Sequence, residues 1–171
     1  MNKKQFVCDK IIEFDKYLAN VKIGVPDNFK IINPFNSDSK YKTNQVVEAF
    51  YHKFYSDNKK RRMILGSSPA RKGTAVTGVP FEDAAHLQKE TGIYIDDFYV
   101  NKASSNFLYD VIETYGGCKK FYNDFYMNFV CPLGIVRVNS KDNEVNCNYY
   151  ENKKLMMSLY DFIVETLKMQ I

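Results

Sequence analysis

Thirteen consecutive residues concentrate the groups in this chain that could do chemistry: Gly66-Ser67-Ser68-Pro69-Ala70-Arg71-Lys72-Gly73-Thr74-Ala75-Val76-Thr77-Gly78. They follow the apolar run Met63-Ile64-Leu65, which reads as a buried strand feeding a tight turn. The carboxyl end of such a strand is where α/β proteins place ligands. A phosphate-binding loop needs its lysine and hydroxyl directly after a glycine, whereas Arg71 and Lys72 precede Gly73, so that register is excluded. A nucleophile elbow centred on Ser68 takes an oxyanion donor from the following backbone N–H, and the following residue is Pro69, which has none. The only candidate bases are His52 and His86, each on an expected helix with no second ligand at metal spacing, so both read as helix-surface residues.

The elements that must position this segment follow from periodicity. Val7, Ile11, Phe14 and Leu18 make one face of a helix over about 4–20. A polar connection through Pro26-Asp27-Asn28 and Asn33-Pro34-Phe35-Asn36-Ser37 leads to a helix over about 45–55, with Val47, Phe50, Tyr51 and Phe54 inward. Lys59-Lys60-Arg61-Arg62 reads as a solvated charge run before the strand. A helix is expected from Pro80 to Gly92, and another over about 106–115, capped by Ser104 or Ser105, burying Phe107, Leu108, Val111, Ile112 and Tyr115. A second strand is expected over 126–131, and a last helix over about 152–169. Strands separated by helices favour an α/β domain with a parallel sheet.

Composition bounds the function. The chain has 171 residues, enough for one domain, here 1–171. Hydrophobic residues make up 45% and charged residues 26%, which excludes a disordered chain, and no apolar run is long enough to span a membrane. No secretory leader is apparent, because Asp9, Glu13 and Asp15 fall early. Four cysteines without a CxxC pair read as packing thiols of a reduced, cytoplasmic protein. A net charge of +4 and a pI near 8.7 permit a polyanionic partner without demanding one. The 13 Tyr and 13 Phe belong mostly to the core.

The run from Gly66 through Thr77-Gly78-Val79-Pro80-Phe81 resembles the first active-site motif of single-strand-selective monofunctional uracil-DNA glycosylases. In that motif a strand leads to G-x-N-P-G, a variable stretch with an internal glycine, then T-G-V-P-F. Tyr126-Met127-Asn128-Phe129-Val130-Cys131-Pro132-Leu133 is similar to the family's second signature, a strand ending in C-P-L. Asn33-Pro34-Phe35, Phe50-Tyr51-His52-Lys53-Phe54-Tyr55 and Tyr115-Gly116-Gly117 are similar to a bacterial branch of these proteins. The resemblance implies a three-layer α/β sandwich with a short, mainly parallel central sheet flanked by helices. It also implies hydrolysis of the N-glycosidic bond of a flipped uracil or related base in DNA, without metal or organic cofactor. Residue by residue, it makes Phe81 the aromatic under the base. Gly66 and Ser67 lie against the base, Ser67 through its backbone N–H, and Ser68 stands at the water-orienting position. Arg71 and Lys72 then face DNA phosphates.

Departures from the pattern keep other readings open. Ser68 stands where the family has Asn, and Ala70 where it has Gly. The base-reading Asn of the family falls on Phe129, and Asn128, one place earlier, is directed to the other face of the strand. The family continues into further strands and a His-Pro motif, whereas the last histidine here is His86. The domain is thus expected to be incomplete at its C-terminus, and if the chain ends at Ile171 its sheet is expected to expose an edge and the isolated chain to self-associate. A non-catalytic DNA- or base-binding relative, or a module that keeps only the fold, remains beside the glycosylase.

Overall fold

A computed structural model describes residues 5–36, 43–94 and 102–171, and the side chains of the last segment from Ser105 onward. The expected turn at Ser37 lies outside these described residues, and Ser104 and Ser105, expected to cap a helix, lie inside one that already starts at Lys102. Helix α1 (Val7–Asn20) begins where the Phe6 N–H donates to Asp9 Oδ2 at 2.9 Å, leaving an apolar stripe of Ile11, Phe14 and Leu18 buried. Helix α2 (Thr43–Tyr55) buries Val46, Val47, Phe50, Tyr51 and Tyr55 and packs against α1, against the short turns α3 (Thr74–Thr77) and α4 (Ala84–Thr91), and against α6 (Cys118–Asp124). The aromatic residues meet there: Phe50 stands edge-on to Tyr122 with ring centres 5.1 Å apart.

The sheet differs from the expected one. Strands β2 (Arg62–Gly66) and β3 (Phe125–Phe129) form a parallel pair in register Gly66 to Phe129. Among the described residues, the other three strands form a separate antiparallel sheet in the order β1-β4-β5. They are β1 (Phe29–Ile32), β4 (Gly134–Val138) and β5 (Glu144–Asn146). A mainly parallel central sheet is thus corrected to a parallel pair beside an antiparallel sheet. The reason is local. β4 and β5 are joined by a tight hairpin in which Asn139 Oδ1 accepts from the N–H groups of Lys141 and Asn143, and Asp142 takes φ 57°. A connection this short can only pair antiparallel. The segment 29–32, expected as part of a polar connection, is an edge strand on β4.

Three further expectations change. Ile64 and Leu65, expected to be buried, are 38% and 40% exposed, because among the described residues β2 pairs only with β3. Helix α5 (Lys102–Tyr115) buries Ser105, Tyr109 and Ile112 rather than Phe107 and Val111, which are 71% and 40% exposed. Its face is turned by the seat of Tyr109 against His86, ring centres 3.3 Å apart. Arg61 is not solvated: its guanidinium bonds Asp57 and the carbonyls of Phe54 and Tyr122. The last helix, α7 (Lys153–Gln170), runs as expected, capped by Asn152 Oδ1 on the Leu155 N–H. Among the described residues, no helix is long and apolar enough to cross a membrane.

One buried group in α1 has no counterpart in the periodicity. Asp15 is 8% exposed, lies beside a small cavity lined also by Phe35, Tyr51 and Asn128, and its Oδ2 has no hydrogen-bond partner. Burial pushes its pKa well above the usual carboxyl value of 3.8. A raised folded pKa means a contribution to stability fully present below pH 3.8 and lost as pH rises through the raised value. Asp15→Asn is therefore expected to unfold at a higher temperature than the parent at pH 8, with little difference near pH 4. A lower melting temperature at pH 8 would contradict the assignment.

Candidate functional site

The candidate site forms where β2 ends. The parallel ladder continues past Gly66: the Val130 N–H donates to the Gly66 carbonyl and the Cys131 N–H to the Ser67 carbonyl, each at 2.9 Å. This fixes the first turn of the glycine-rich segment to the C-P-L end of β3. Further along, the segment is wedged between α2 and β4. A Cβ on Gly78 (φ 74°) would meet Thr43 and Val47 at 2.8 Å, and one on Gly134 would meet Ala75 at 2.6 Å. Both glycines are required by close approach, and at Gly78 by the left-handed backbone as well.

Phe81 sits at the end of this wedge with φ 64°, a conformation uncommon outside glycine. Its N–H donates to Thr74 Oγ1 at 2.9 Å, and its ring stacks on Phe129, centres 4.9 Å apart and 24° between planes. Gly66 lies under both rings: a Cβ there would fall 2.7 Å from Phe81 Cζ and 2.8 Å from Phe129 Cδ1. Strain of about 1–3 kcal/mol at such a φ persists only where the surroundings determine it, and here they do.

Ser67 and Ser68 both face one acceptor. Each hydroxyl donates to Asn148 Oδ1 at 2.8 Å. Asn148 lies between β5 and α7, some 80 positions away, and sequence reading did not find it. Its segment is held to the loop a second time by the Arg71 N–H, which donates to Asn146 Oδ1 at 2.9 Å. The only signal available in the sequence was the polar run Asn146-Cys147-Asn148 in an otherwise unassigned stretch. Arg71 is half-buried and Lys72 exposed on the same loop.

Asn128 is placed apart from this group. It is buried on the Tyr126 face of β3, its Nδ2 donating to the Tyr126 hydroxyl at 2.7 Å and its Oδ1 accepting from the Phe129 N–H. His86 bonds Asp83 Oδ2 through Nδ1 at 2.7 Å, at the start of α4. His52 is exposed on α2, as expected of a helix-surface residue, and its ring nitrogen, Cys8 Sγ and an Asp9 oxygen lie within 4.8 Å of one another because α1 and α2 pack side by side. The four cysteines are free thiols, and burial pushes Cys131 up to about 12 and Cys118 to about 11, which suits packing rather than reactivity.

Neither a protein-family model nor a curated protein matches the chain. Among solved structures, the crystal structure of wild-type Pedobacter heparinus SMUG2 is similar to it, with a TM-score of 0.88 and 38% sequence identity. The match covers 97% of this chain and 70% of that one.

Directly after Phe81, Glu82 is 1% exposed and anchors the wedge from below. Its two carboxylate oxygens accept from the hydroxyls of Tyr109 and Tyr122, which tie the loop to α5 and α6. Burial raises its pKa from 4.5 to about 7, against the lowering effect of the two tyrosine donors. Its stabilising contribution is therefore whole below pH 4.5 and is lost progressively as pH rises through about 7. Glu82→Gln stays neutral throughout, so its melting temperature should decline less than the parent's between pH 4.5 and 7.5. Parallel declines for the two proteins would show that Glu82 does not titrate in this window.

Proposed function

The chain belongs to the SMUG-like branch of the uracil-DNA glycosylase superfamily, and on that premise we propose that it recognises a uracil or related damaged base flipped out of DNA and hydrolyses its N-glycosidic bond. The observation that carries this reading is the convergence of Ser67, Ser68 and the Phe81 ring around Gly66, at the carboxyl end of a parallel strand pair. The half-buried Phe81 is the platform on which the base stacks, and the bare Gly66 makes room for its ring beside that of Phe129 at the end of the strand. The Ser67 N–H is a donor for the base.

The reaction breaks the bond between C1′ and the base nitrogen, and its electron pair leaves with the base. Positive charge develops on the sugar, a water oxygen bonds C1′, and the proton released from that water balances the one the base anion takes up. Ser68 cannot act as a base, but its hydroxyl oxygen can hold the water by accepting a hydrogen bond from it. No lysine Schiff base enters, so the product is an abasic site with an intact strand. Arg71 and Lys72 on the rim contact phosphates of the strand, positioning it without reading sequence. The free thiols of all four cysteines support a reducing, cytoplasmic setting.

The second reading, a binding relative without turnover, is favoured by one feature: Ser68 offers a hydroxyl where the resemblance places an amide. Base release from a single-stranded oligonucleotide carrying one uracil, read as alkali-sensitive cleavage in low salt, separates the two. Release is expected from the parent and should fall at least about 100-fold in Phe81→Ala, whose folding is checked by circular dichroism. Binding without release by the parent, unchanged in Ser68→Asn, would favour the binding relative.

The edge of β2 that pairs with no strand among the described residues, with Ile64 and Leu65 exposed, supports association of two copies through that strand. Sedimentation equilibrium at high protein concentration should then show dimers, diminished in Leu65→Lys. A single monomeric species at all concentrations would rule this out.

A further inference from the structure

Asn148 does more than close a loop onto the serine pair; it decides which way their protons point. An amide can be placed with oxygen and nitrogen exchanged, and the surroundings choose. Here both the Asn148 backbone N–H (2.8 Å) and its Nδ2 (3.1 Å) donate to Glu151 Oε1. A carboxylate only accepts, so the amide nitrogen must face Glu151 and the amide oxygen must face the serines. Glu151 is kept ionised for this role: the Asn148 backbone N–H, ahead of the opposing effect of burial, holds its carboxyl below the usual range. The pair is further fastened by the Glu151 N–H donating to the Asn148 carbonyl at 3.1 Å, directly before the Asn152 cap of α7.

The consequence for the serines follows from the same inventory. An amide oxygen has no proton to give, so both hydroxyl protons at 2.8 Å are committed to Asn148 Oδ1. Each serine oxygen then turns its lone pairs away from Asn148. The geometry points to Glu151 and Asn148 as positioning residues that lock the Ser68 hydroxyl as a hydrogen-bond acceptor for the attacking water. This inference rests on the glycosylase reading, and supplies what that reading otherwise lacks: a hydroxyl left free to rotate would offer the water a donor as often as an acceptor. In this chain the function of one longer amide side chain at position 68 is divided between a hydroxyl and an amide brought in from position 148.

The test compares the parent with Asn148→Ala, Glu151→Ala and Glu151→Gln. Release of uracil is measured under steady-state conditions, and affinity is measured for an oligonucleotide carrying 2′-fluoro-2′-deoxyuridine, whose glycosidic bond resists cleavage. Loss of water orientation is expected to lower kcat about 10- to 100-fold in Asn148→Ala, with KM and affinity for the fluorinated strand changed less than about 3-fold. Glu151→Ala should follow it, and Glu151→Gln, whose carbonyl can still accept from Asn148, should restore most of the turnover. A merely structural role predicts instead that KM, affinity and melting temperature move together, and that Gln rescues no better than Ala. Parent-like kcat in Asn148→Ala would overturn the positioning role alone. A parent that binds the fluorinated strand yet releases no base would overturn the glycosylase reading and this role with it.

Discussion

The parallel ladder between β2 and β3 does not stop where the strands do. It runs on through Gly66 and Ser67, whose carbonyls accept from Val130 and Cys131. The start of the glycine-rich loop takes its position from those two bonds. They hold the start of a thirteen-residue loop as firmly as a strand, and they hold it at the one position, Gly66, where the rings of Phe81 and Phe129 leave no room for a side chain. Net hydrogen-bond contributions of about 1 kcal/mol each would not by themselves keep a loop in place. Their effect here is geometric, because the aromatic stack and the bare glycine give the loop no alternative way to pack.

From that fixed start the loop is wedged rather than tethered. Gly78 against α2 and Gly134 against α3 are contacts made by the absence of side chains, and both bring backbone close enough that the next residues have little freedom. The left-handed backbone of Phe81 is the outcome. It is held by the Thr74 hydroxyl above and by Glu82 below, whose carboxylate is gripped by Tyr109 and Tyr122. The aromatic platform is thus positioned by a buried acid whose own ionisation is unfavourable, a balance between hydrogen bonding and desolvation rather than simple burial.

The polar side of the site is built by a different route. Ser67 and Ser68 come from the loop, while Asn148 and Glu151 come from the stretch that links the antiparallel sheet to α7. The antiparallel sheet therefore matters to the site although it shares no strand with the parallel pair. The β4–β5 hairpin returns the chain so that residues 146–148 lie against residues 67–71.

The glycine-rich run, its strand and its closing Val79-Pro80-Phe81 were legible in the sequence because their chemistry is local: turn residues, spacing and one aromatic at a definite offset. The helices α1, α2 and α7 were legible for the same reason, since a 3.6-residue stripe carries its own partner requirement. What tertiary structure decided is whatever needs a distant neighbour. The antiparallel strands β1 and β5 are only four and three residues long and carry no periodicity of their own. The face of α5 was set by where Tyr109 could reach His86 and Glu82, not by its apolar pattern. Asp15, within a helix whose stripe was read correctly, lost its hydration only when α2 and β3 closed over it. Asn148 joined the serines across some 80 positions, and no local spacing encodes a bond between groups so far apart in the chain.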